Sequence, residues 1–356
     1  MHRVKVVDAF CPRPYDERSL YSAPMGGTES AIVLLSESLA RHSRVEVVQH
    51  CRLHSHTSAN GVVYRGSDTW RVESSSPDHD TVIVINSPKL MGLWRRNNPG
   101  CQILLWRHNF LGNRHKDVFQ LLDHYDATMI CVSRFHQLDC YRSQRSNVTA
   151  SRAIVIPNPV QVFANPYVQR NRNTLLFCSS PHKGLDEVVE RFCKVRLTLP
   201  MLQLRICNPG YLDDSIINEA GIKVLGALTR PQLHAEMSAA LCIFYPQTTF
   251  RETFGLVGAE ANALGIPVLA PTGLGALSET LCGTEQLLDS VAIPQLVRRL
   301  KEWRTVPTPS VTAQTRFTPE EVCKTWWTLI QAGRQHSPLQ SKAVASSQTT
   351  SAIGLT

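Results

Sequence analysis

Short apolar runs alternate with longer stretches of helical periodicity along most of the chain. The runs are nearly continuous in Val, Ile and Leu, as expected for strands buried on both faces of a parallel sheet. In the first half the pattern predicts strands at 4–8, 45–50, 81–86, 102–107, 127–133 and 153–156. Between the first two strands, apolar residues recur on one face of a helix predicted over residues 28–41. The alternation predicts an α/β fold with a parallel sheet covered by helices.

The pattern breaks at residues 157–172, where prolines lie among Asn and Gln residues in a composition typical of a connector. The second half repeats the alternation of apolar runs and helical stretches, with strands predicted at 174–179, 202–207, 222–225, 241–245 and 267–270. Capping signals at Thr229 and Thr318 predict helices that end at Ala240 and near Gly333. We therefore predict an α/β domain over 1–157, a linker over 158–172, a second α/β domain over 173–318, a C-terminal helix over 319–335 and a disordered tail over 336–356.

Composition narrows the class of protein. The chain has 356 residues, enough for about two domains, and its 43% hydrophobic content excludes collagen, mucin and wholesale disorder. No apolar run approaches the roughly 20 residues of a membrane-spanning helix, and the start shows no signal-peptide core. Eleven cysteines, several of them within apolar strands, are typical of reduced thiols. We expect a soluble, cytoplasmic protein.

The charge balance favours anionic partners. With 37 basic and 29 acidic residues the formal net charge is +8. Such an excess fits nucleic acid, an anionic membrane surface or phosphorylated small molecules, and charge alone does not choose among them. A nucleic-acid-binding protein is disfavoured because the sequence contains no recognition module and its basic residues are scattered.

Residues 247–268 carry the most specific chemical signal. They run from the end of an apolar strand through a polar loop into a short helix that begins near Gly255 and ends at Gly265. Unpaired N–H groups of Gly255 and Leu256 at this helix start favour an anion such as a diphosphate. Glu260 lies one turn past Leu256 on the same face, where its carboxylate could accept hydrogen bonds from ribose hydroxyls.

Glu252 and Glu260 form a pair separated by seven residues and followed by Ala-x-x-x-Gly-x-Pro-Val. This pattern resembles the paired-glutamate signature of the family 4 retaining glycosyltransferases, which have the GT-B fold of two Rossmann-like domains facing a central cleft. The resemblance covers about residues 3–333. It includes, in order, Pro24-Met-Gly26-Gly27-Thr-Glu29, Trp106-Arg107-His108-Asn109, Cys131-Val-Ser133-Arg-Phe, Ile156-Pro157-Asn158-Pro, Ser179-Ser180-Pro-His-Lys183-Gly184-Leu185, Val224-Leu-Gly226 and Gly275-Ala-Leu-Ser-Glu279.

The resemblance implies a metal-independent retaining glycosyltransferase. The donor would be a UDP- or GDP-linked sugar and the acceptor a hydroxyl of a glycan or lipid-linked glycan, in surface polysaccharide or lipopolysaccharide biosynthesis. Lys183 would bind the diphosphate of the donor, and His108 would lie beside the reacting carbon of the transferred sugar. The leaving phosphate would take the acceptor proton, so no strong general base, cofactor or metal is implied.

The residues to which the resemblance assigns roles form two overlapping groups. The expected catalytic residues are Glu252, Lys183 and His108. The expected donor-binding residues are Gly26, Gly27, Lys183, Arg251, Glu252, Phe254, Gly255, Leu256 and Glu260.

The chain departs from the family pattern at Cys178, where many members have an Arg five residues before the Lys. Arg251 or Arg172 could supply the missing charge. The departure leaves open a degenerate GT-B protein that binds a nucleotide or partner without turnover. A sugar-nucleotide epimerase of the same shape fits the ordered motifs less well, and a nicotinamide dehydrogenase is disfavoured because no Gly-x-Gly-x-x-Gly follows the first strand.

Two other segments carry chemistry-bearing residues. His50, Cys51, His54 and His56 have the residue types of a zinc site. One short loop does not readily present four ligands tetrahedrally, so no metal is predicted there. Residues 89–96 combine apolar bulk with cations and could lie on an anionic membrane, although a core helix with a basic rim is favoured.

Overall fold

The computed structural model describes residues 1–66, 80–112, 117–143, 152–164, 167–208, 219–306, 311 and 315–335. Within these ranges the chain forms two sheets, one from residues on each side of the predicted linker. Helices pack against both sheets, so the predicted α/β fold with two parallel-sheet domains is confirmed. The predicted disordered tail, 336–356, lies outside the described residues.

The first sheet has the order β3-β4-β2-β1-β5-β6-β7-β8, and only the β3–β4 pairing is antiparallel. Its strands are β1 (Arg3–Asp8), β2 (Arg44–Gln49), β3 (His56–Thr57), β4 (Val63–Gly66), β5 (Thr81–Ile85), β6 (Gln102–Arg107), β7 (Ala127–Cys131) and β8 (Ala153–Val155). The helices of this half are α1 (Ser19–Ser22), α2 (Gly27–Leu39), α3 (Lys89–Asn97), α4 (Val118–His124) and α5 (Arg134–Arg142). All six strands predicted in this half are present.

The second sheet has the order β11-β10-β9-β12-β13-β14 and is parallel throughout. Its strands are β9 (Thr174–Phe177), β10 (Gln203–Asn208), β11 (Ile222–Ala227), β12 (Cys242–Phe244), β13 (Val268–Pro271) and β14 (Leu287–Leu288). The helices that follow β9 are α6 (Leu185–Thr198), α7 (Arg230–Ala239), α8 (Leu256–Ala263), α9 (Leu277–Thr280), α10 (Ile293–Thr305) and α11 (Pro319–Gln335). The five strands predicted here are all found.

Burial on both faces explains why the central strands are continuously apolar. Every residue of β5 is buried. Ile83 and Ile85 belong to the core that contains α2, whereas Val82 and Val84 belong to the core that contains α3. Because successive strand residues point to opposite faces, a strand between two helical layers needs apolar residues at every position.

The favoured interpretation of residues 89–96 as a core helix agrees with the structure. Helix α3 buries Met91 and Trp94, and Arg95 donates hydrogen bonds to the carbonyls of Tyr125 and Cys101. In the part of the chain that the structure describes, no helix is both long enough and apolar enough to cross a bilayer.

The C-terminal helix α11 returns to the first domain. The ring of Trp326 packs against that of Trp106 at 4.9 Å, and Gln102 Nε2 donates a hydrogen bond to the carbonyl of Leu329. The capping signal at Thr318 predicts this helix, but nothing in it indicates which domain the helix covers. The first domain therefore contains segments from both ends of the described chain.

The two domains are in direct contact near the carboxyl ends of their strands. Ser133, after β7, donates a hydrogen bond to the carbonyl of Thr253 at 2.6 Å. Thr253 Oγ1 in turn donates to the carbonyl of His108, after β6, at 2.7 Å. Glu279 accepts hydrogen bonds from the N–H groups of Arg134 and Phe135 at the start of α5. These contacts place the loops that follow β6, β7 and β12 beside one another.

Candidate active site

A cavity of about 480 Å³ lies between the two domains at the carboxyl ends of their strands. This is the position at which open α/β sheets bind their ligands. Its wall contains nine of the ten expected site residues, namely Gly26, Gly27, His108, Lys183, Glu252, Phe254, Gly255, Leu256 and Glu260. The structure thus brings together residues that are more than 200 positions apart in the sequence.

Lys183 and Glu252 form an ion pair in the cavity wall. Lys183 Nζ lies 3.1 Å from both carboxylate oxygens of Glu252, and Tyr245 donates a hydrogen bond to Oε1 at 2.9 Å. Burial, followed by the negative charge of Glu252, raises the pKa of Tyr245, so this phenol remains a donor. Lys183 also lies 4.7 Å from the centre of the Phe250 ring. Its ammonium is held over the cavity while a quarter of its side chain stays exposed.

The loop that carries Glu252 is shaped by the buried side chain of Gln247. Gln247 Oε1 accepts hydrogen bonds from the N–H groups of Thr249 and Phe250, and its Nε2 donates to the carbonyl of Phe250. On the other side, Ala276 N donates to the carbonyl of Glu252 at 2.9 Å. Hydrogen bonds therefore fix the loop before Glu252 on one side and the Glu252 carbonyl on the other.

Helix α8 begins at the cavity and presents unpaired backbone donors there. Gly255 precedes it with φ +84°, a conformation that favours glycine, and a Cβ at this position would lie 2.5 Å from Leu277 Cδ2. The first hydrogen bond of the helix runs from Ala259 N to the carbonyl of Gly255. The N–H groups of residues 256–258 therefore have no acceptor within the helix, and Leu256 and Val257 belong to the cavity wall.

Glu260 is buried in the cavity wall and forms an ion pair with Arg230. Arg230 Nη1 also donates a hydrogen bond to Ser30 Oγ at 2.8 Å, so this guanidinium joins α7 to α2 across the two domains. Burial lowers the pKa of Arg230 to about 10, which leaves it charged at neutral pH. The expected hydrogen bonds from Glu260 to a ribose would therefore be made by a carboxylate that already has a cation beside it.

His108 is buried at the end of β6 and is uncharged at neutral pH. Burial, and then the charges of His136 and Arg107, lower its pKa to about 3. Its backbone N–H donates to Asn86 Oδ1 at 2.8 Å. Among the described residues its Nε2 has no hydrogen-bond partner. A neutral imidazole with one unused nitrogen suits hydrogen bonding to a sugar hydroxyl.

Gly27 of the first domain faces Leu256 at the start of α8. A Cβ at this position would lie 3.1 Å from Leu256 Cδ2, so a side chain here would have to displace the end of the Leu256 side chain. Gly26 precedes α2 as its N-cap and also lines the cavity. Phe254 contributes to the wall while its ring packs against Phe317 at 5.2 Å.

Arg251 is the one expected donor-binding residue that the structure does not bring to the cavity wall. Its guanidinium pairs with Asp139 at 3.1 Å and lies over the rings of Phe110 and Phe135, because these groups of the first domain face the loop before Glu252. Arg172, the other expected substitute for a cation at Cys178, instead donates to the carbonyl of Arg304.

Cys178 lies in the cavity wall and is buried. A hydrogen bond with Cys207, together with burial, raises the pKa of its thiol, so the position carries no charge. The cations that the wall does contain are Lys183 and Arg230. The sequence indicates Arg230 only as part of a capping box, since no spacing relates it to Ser30 or to Glu260.

A second cavity of about 650 Å³ adjoins the first and lies within the first domain. Thr28, Asn109 and Phe110 line both cavities. The wall of the second cavity also contains Asp8 and Glu29, whose pKa values are raised chiefly by burial. A ligand could thus extend from the domain interface towards two carboxyl groups, of which Asp8 is buried and Glu29 is half-buried.

Comparisons with known proteins agree with this architecture. Residues 170–307 match the family model described as glycosyl transferases group 1. A sucrose-phosphate synthase from Thermosynechococcus elongatus is 14% identical, with a TM-score of 0.63 over 97% of this chain and 100% of that one. The lipopolysaccharide outer core galactosyltransferase WaaB is 15% identical, with a TM-score of 0.61 over 93% and 99%.

A third similar structure is the pneumococcal O-GlcNAc transferase GtfA in complex with UDP and GlcNAc. It is 11% identical, with a TM-score of 0.67 over 93% of this chain and 99% of that one. No curated protein sequence matches the chain. At these identities the structural likeness shows the fold, and the chain accordingly has the two-domain GT-B fold of glycosyltransferases, with residues 170–307 matching the glycosyl transferases group 1 family.

Proposed function

We propose that this chain is a glycosyltransferase that moves a sugar from a nucleoside diphosphate donor to a hydroxyl of an acceptor glycan. The observation that carries the proposal is the grouping of Lys183, Glu252 and the start of α8 around one interdomain cavity. A cation and several unpaired N–H groups at one place suit the negative charge of a diphosphate.

Lys183 and the start of α8 would act by electrostatic stabilisation of the leaving group. Negative charge builds on the leaving diphosphate as the glycosidic bond breaks, and Lys183 with the N–H groups of residues 256–258 would stabilise it. We propose that no divalent cation takes part, because these groups supply the positive charge. His108 is neutral, so it would orient the transferred sugar by hydrogen bonding and not act as an acid.

We propose further that transfer retains the configuration at the sugar carbon, with the leaving phosphate accepting the acceptor proton. The second cavity opens beside Asn109 and Phe110, on the first-domain side of the proposed donor site, and would receive the acceptor. Its carboxyl groups, the buried Asp8 and the half-buried Glu29, suit hydrogen bonds from the hydroxyls of a sugar. The similar GtfA structure is a complex with UDP and GlcNAc, and WaaB is a lipopolysaccharide outer core galactosyltransferase, which supports a UDP-linked donor and a glycan acceptor.

Donor binding is tested first, by a thermal-shift panel of UDP, GDP, ADP and their sugar conjugates. A ligand that binds only the folded protein raises its melting temperature. We expect one nucleoside diphosphate to stabilise the wild type and to have a smaller effect on Lys183→Ala. Lys194→Ala is the matched control, because Lys194 lies in α6, the helix that follows Lys183, but is exposed and pairs with Glu190.

Turnover is tested by release of nucleoside diphosphate from the donor identified in the panel, with and without an oligosaccharide acceptor mixture. We expect acceptor-dependent release by the wild type and its loss in Glu252→Ala. Binding of the nucleotide without any release would contradict the proposal and favour a degenerate GT-B protein, the alternative raised by Cys178.

A further inference from the structure

A cluster of metal-ligating side chains lies in the first domain, outside the residues used above. Cys11 Sγ lies 3.1 Å from Cys51 Sγ and 3.9 Å from His50 Nδ1. The three donor atoms all lie within 4.8 Å of one another. In the sequence, residues 50–56 form a single loop that does not readily supply enough zinc ligands. The structure adds Cys11 from a second loop.

The two loops meet because they leave neighbouring parallel strands at the same edge of the sheet. Asp8 of β1 is in register with Gln49 of β2, and each loop continues directly from that pair. Gln49 is fully buried, and its side chain makes two hydrogen bonds with the backbone of Tyr15. Its Oε1 accepts from the Tyr15 N–H at 3.1 Å, and its Nε2 donates to the Tyr15 carbonyl at 2.7 Å. The Tyr15 hydroxyl donates to Asp8 at 2.8 Å. The loop that carries Cys11 is therefore fixed against residues 50 and 51 by groups that are not themselves ligands.

We propose that Cys11, His50 and Cys51 bind one zinc ion, with water in the fourth position. Two thiolates and an imidazole are the ligand types that zinc prefers, and three protein ligands with one open position are a common zinc arrangement. Tetrahedral zinc would hold these donor atoms about 3.5–3.8 Å apart. Cys11 Sγ and His50 Nδ1, at 3.9 Å, are near that separation, and the two sulfurs, at 3.1 Å, would move apart by about 0.6 Å to bind the ion. Each thiol gives up its proton to solvent on binding, and the resulting site is electrically neutral.

Ligand type and charge pairing favour this assignment over a neighbouring group of two carboxylates and a histidine. Cys11 is buried while His50 is exposed, so the ion has an entry path from solvent. Asp16, Glu17 and His56 also lie close together. Their charges are already matched, since Asp16 pairs with Arg52 and Glu17 with His56.

The ion would join the two loops at the rim of the second cavity. Phe10 and Cys11 both line that cavity, and Cys51 belongs to the loop after the adjacent strand. Zinc would therefore hold the loop of residues 9–18 in the position that gives the cavity its shape. This inference does not depend on the proposed transferase activity, because it concerns binding and stability.

The test measures zinc bound by the full chain after removal of any polyhistidine tag and dialysis against a chelator. We expect one zinc per chain on reloading. At a zinc concentration about a hundred times the dissociation constant, the melting temperature should rise by about 5 °C. Loading with Co²⁺ in place of zinc should give a thiolate-to-metal charge-transfer band. Cys51→Ser and His50→Ala should each weaken binding by more than about 100-fold. Both side chains are more exposed than Cys11, so these variants are chosen to preserve folding.

Matched controls separate this site from its neighbours. His54→Ala removes an exposed histidine of the same loop, His56→Ala removes the histidine of the oxygen-rich group, and Cys193→Ser removes a half-buried cysteine of the other domain. All three should bind zinc like the wild type. Loss of zinc in His56→Ala with retention in His50→Ala would overturn the proposal. So would a Co²⁺ complex without a charge-transfer band, or two thiols missing from a titration of the unfolded protein, which would indicate a Cys11–Cys51 disulfide.

Discussion

Lys183 Nζ lies 3.1 Å from both carboxylate oxygens of Glu252, so the two residues expected to act on the donor neutralise each other in the structure. Both are at least partly shielded from solvent, with side-chain exposures of 25% and 10%. A diphosphate entering the cavity would compete with Glu252 for the ammonium. Tyr245, which also bonds Glu252, would keep that carboxylate in place when Lys183 turns to the phosphate.

Replacing Lys183 with Ala should lower turnover by about 10²–10³-fold, the effect typical of losing one donor that stabilises developing charge. The turnover rate is measured as release of nucleoside diphosphate at a saturating concentration of the donor. Lys194→Ala, at an exposed position in the helix that follows, should turn over at the wild-type rate. An equal loss in both variants, or no loss in Lys183→Ala, would remove Lys183 from the mechanism.

Replacing Arg230 with Met should destabilise the protein by about 3–5 kcal/mol, because it leaves the buried carboxylate of Glu260 without its partner. The double variant Arg230→Met/Glu260→Met should recover most of that loss, since both charges are then removed together. Denaturant unfolding followed by circular dichroism gives the free energies of unfolding. Additive losses in the double variant would show that the two side chains do not interact.

The sequence predicts the central strands of both sheets because burial on two faces leaves a continuous apolar run. It does not predict β4, since that strand lies near the edge of the sheet with only Tyr64 fully buried among its four residues. It does not predict β14 either, whose two residues are too few to form a run. The docking of α11 on the first domain is equally unpredictable, because an apolar helix face does not specify its partner.

In the candidate site, too, the sequence predicts groupings within one local segment but not contacts between distant segments. Glu252, Gly255 and Glu260 lie on one loop and one helix, so their spacing predicts their grouping. Arg230 and Ser30 meet across the domain interface although 200 positions separate them. No local periodicity relates such a pair, and the same is true of Cys11 and Cys51.

The buried His108 should make stability depend on pH. Its pKa in the folded protein is about 3, below the ordinary 6.5, so the unfolded chain takes up the proton first as the pH falls. Stability should therefore decrease as the pH is lowered from about 6.5 towards 3. The melting temperature of His108→Asn should fall less steeply over pH 6.5–4 than that of the wild type. His54→Asn, at an exposed position, should follow the wild-type curve, and identical slopes for all three would contradict the assignment.

Gly275 tests whether the position of Glu252 matters as much as its charge. Gly275 has φ +71°, and a Cβ there would collide with the backbone carbonyl of Glu252, which pairs with this segment. Gly273 has a similar φ of +76°, but a Cβ there would meet nothing within 4 Å. Both Gly→Ala changes should cost about 1–2 kcal/mol of stability through backbone strain. Gly275→Ala should cost more than Gly273→Ala, because the Glu252 backbone must also move.

Only Gly275→Ala should also displace Glu252 from Lys183. We expect its release of nucleoside diphosphate to fall by at least about 10²-fold, since small displacements of catalytic groups have effects of that size. Gly273→Ala should keep nearly the wild-type rate once both variants are assayed well below their melting temperatures. Because the two variants share the same backbone strain, a difference in rate between them isolates the contact with Glu252. Equal rates would show that the enzyme tolerates movement of this carboxylate.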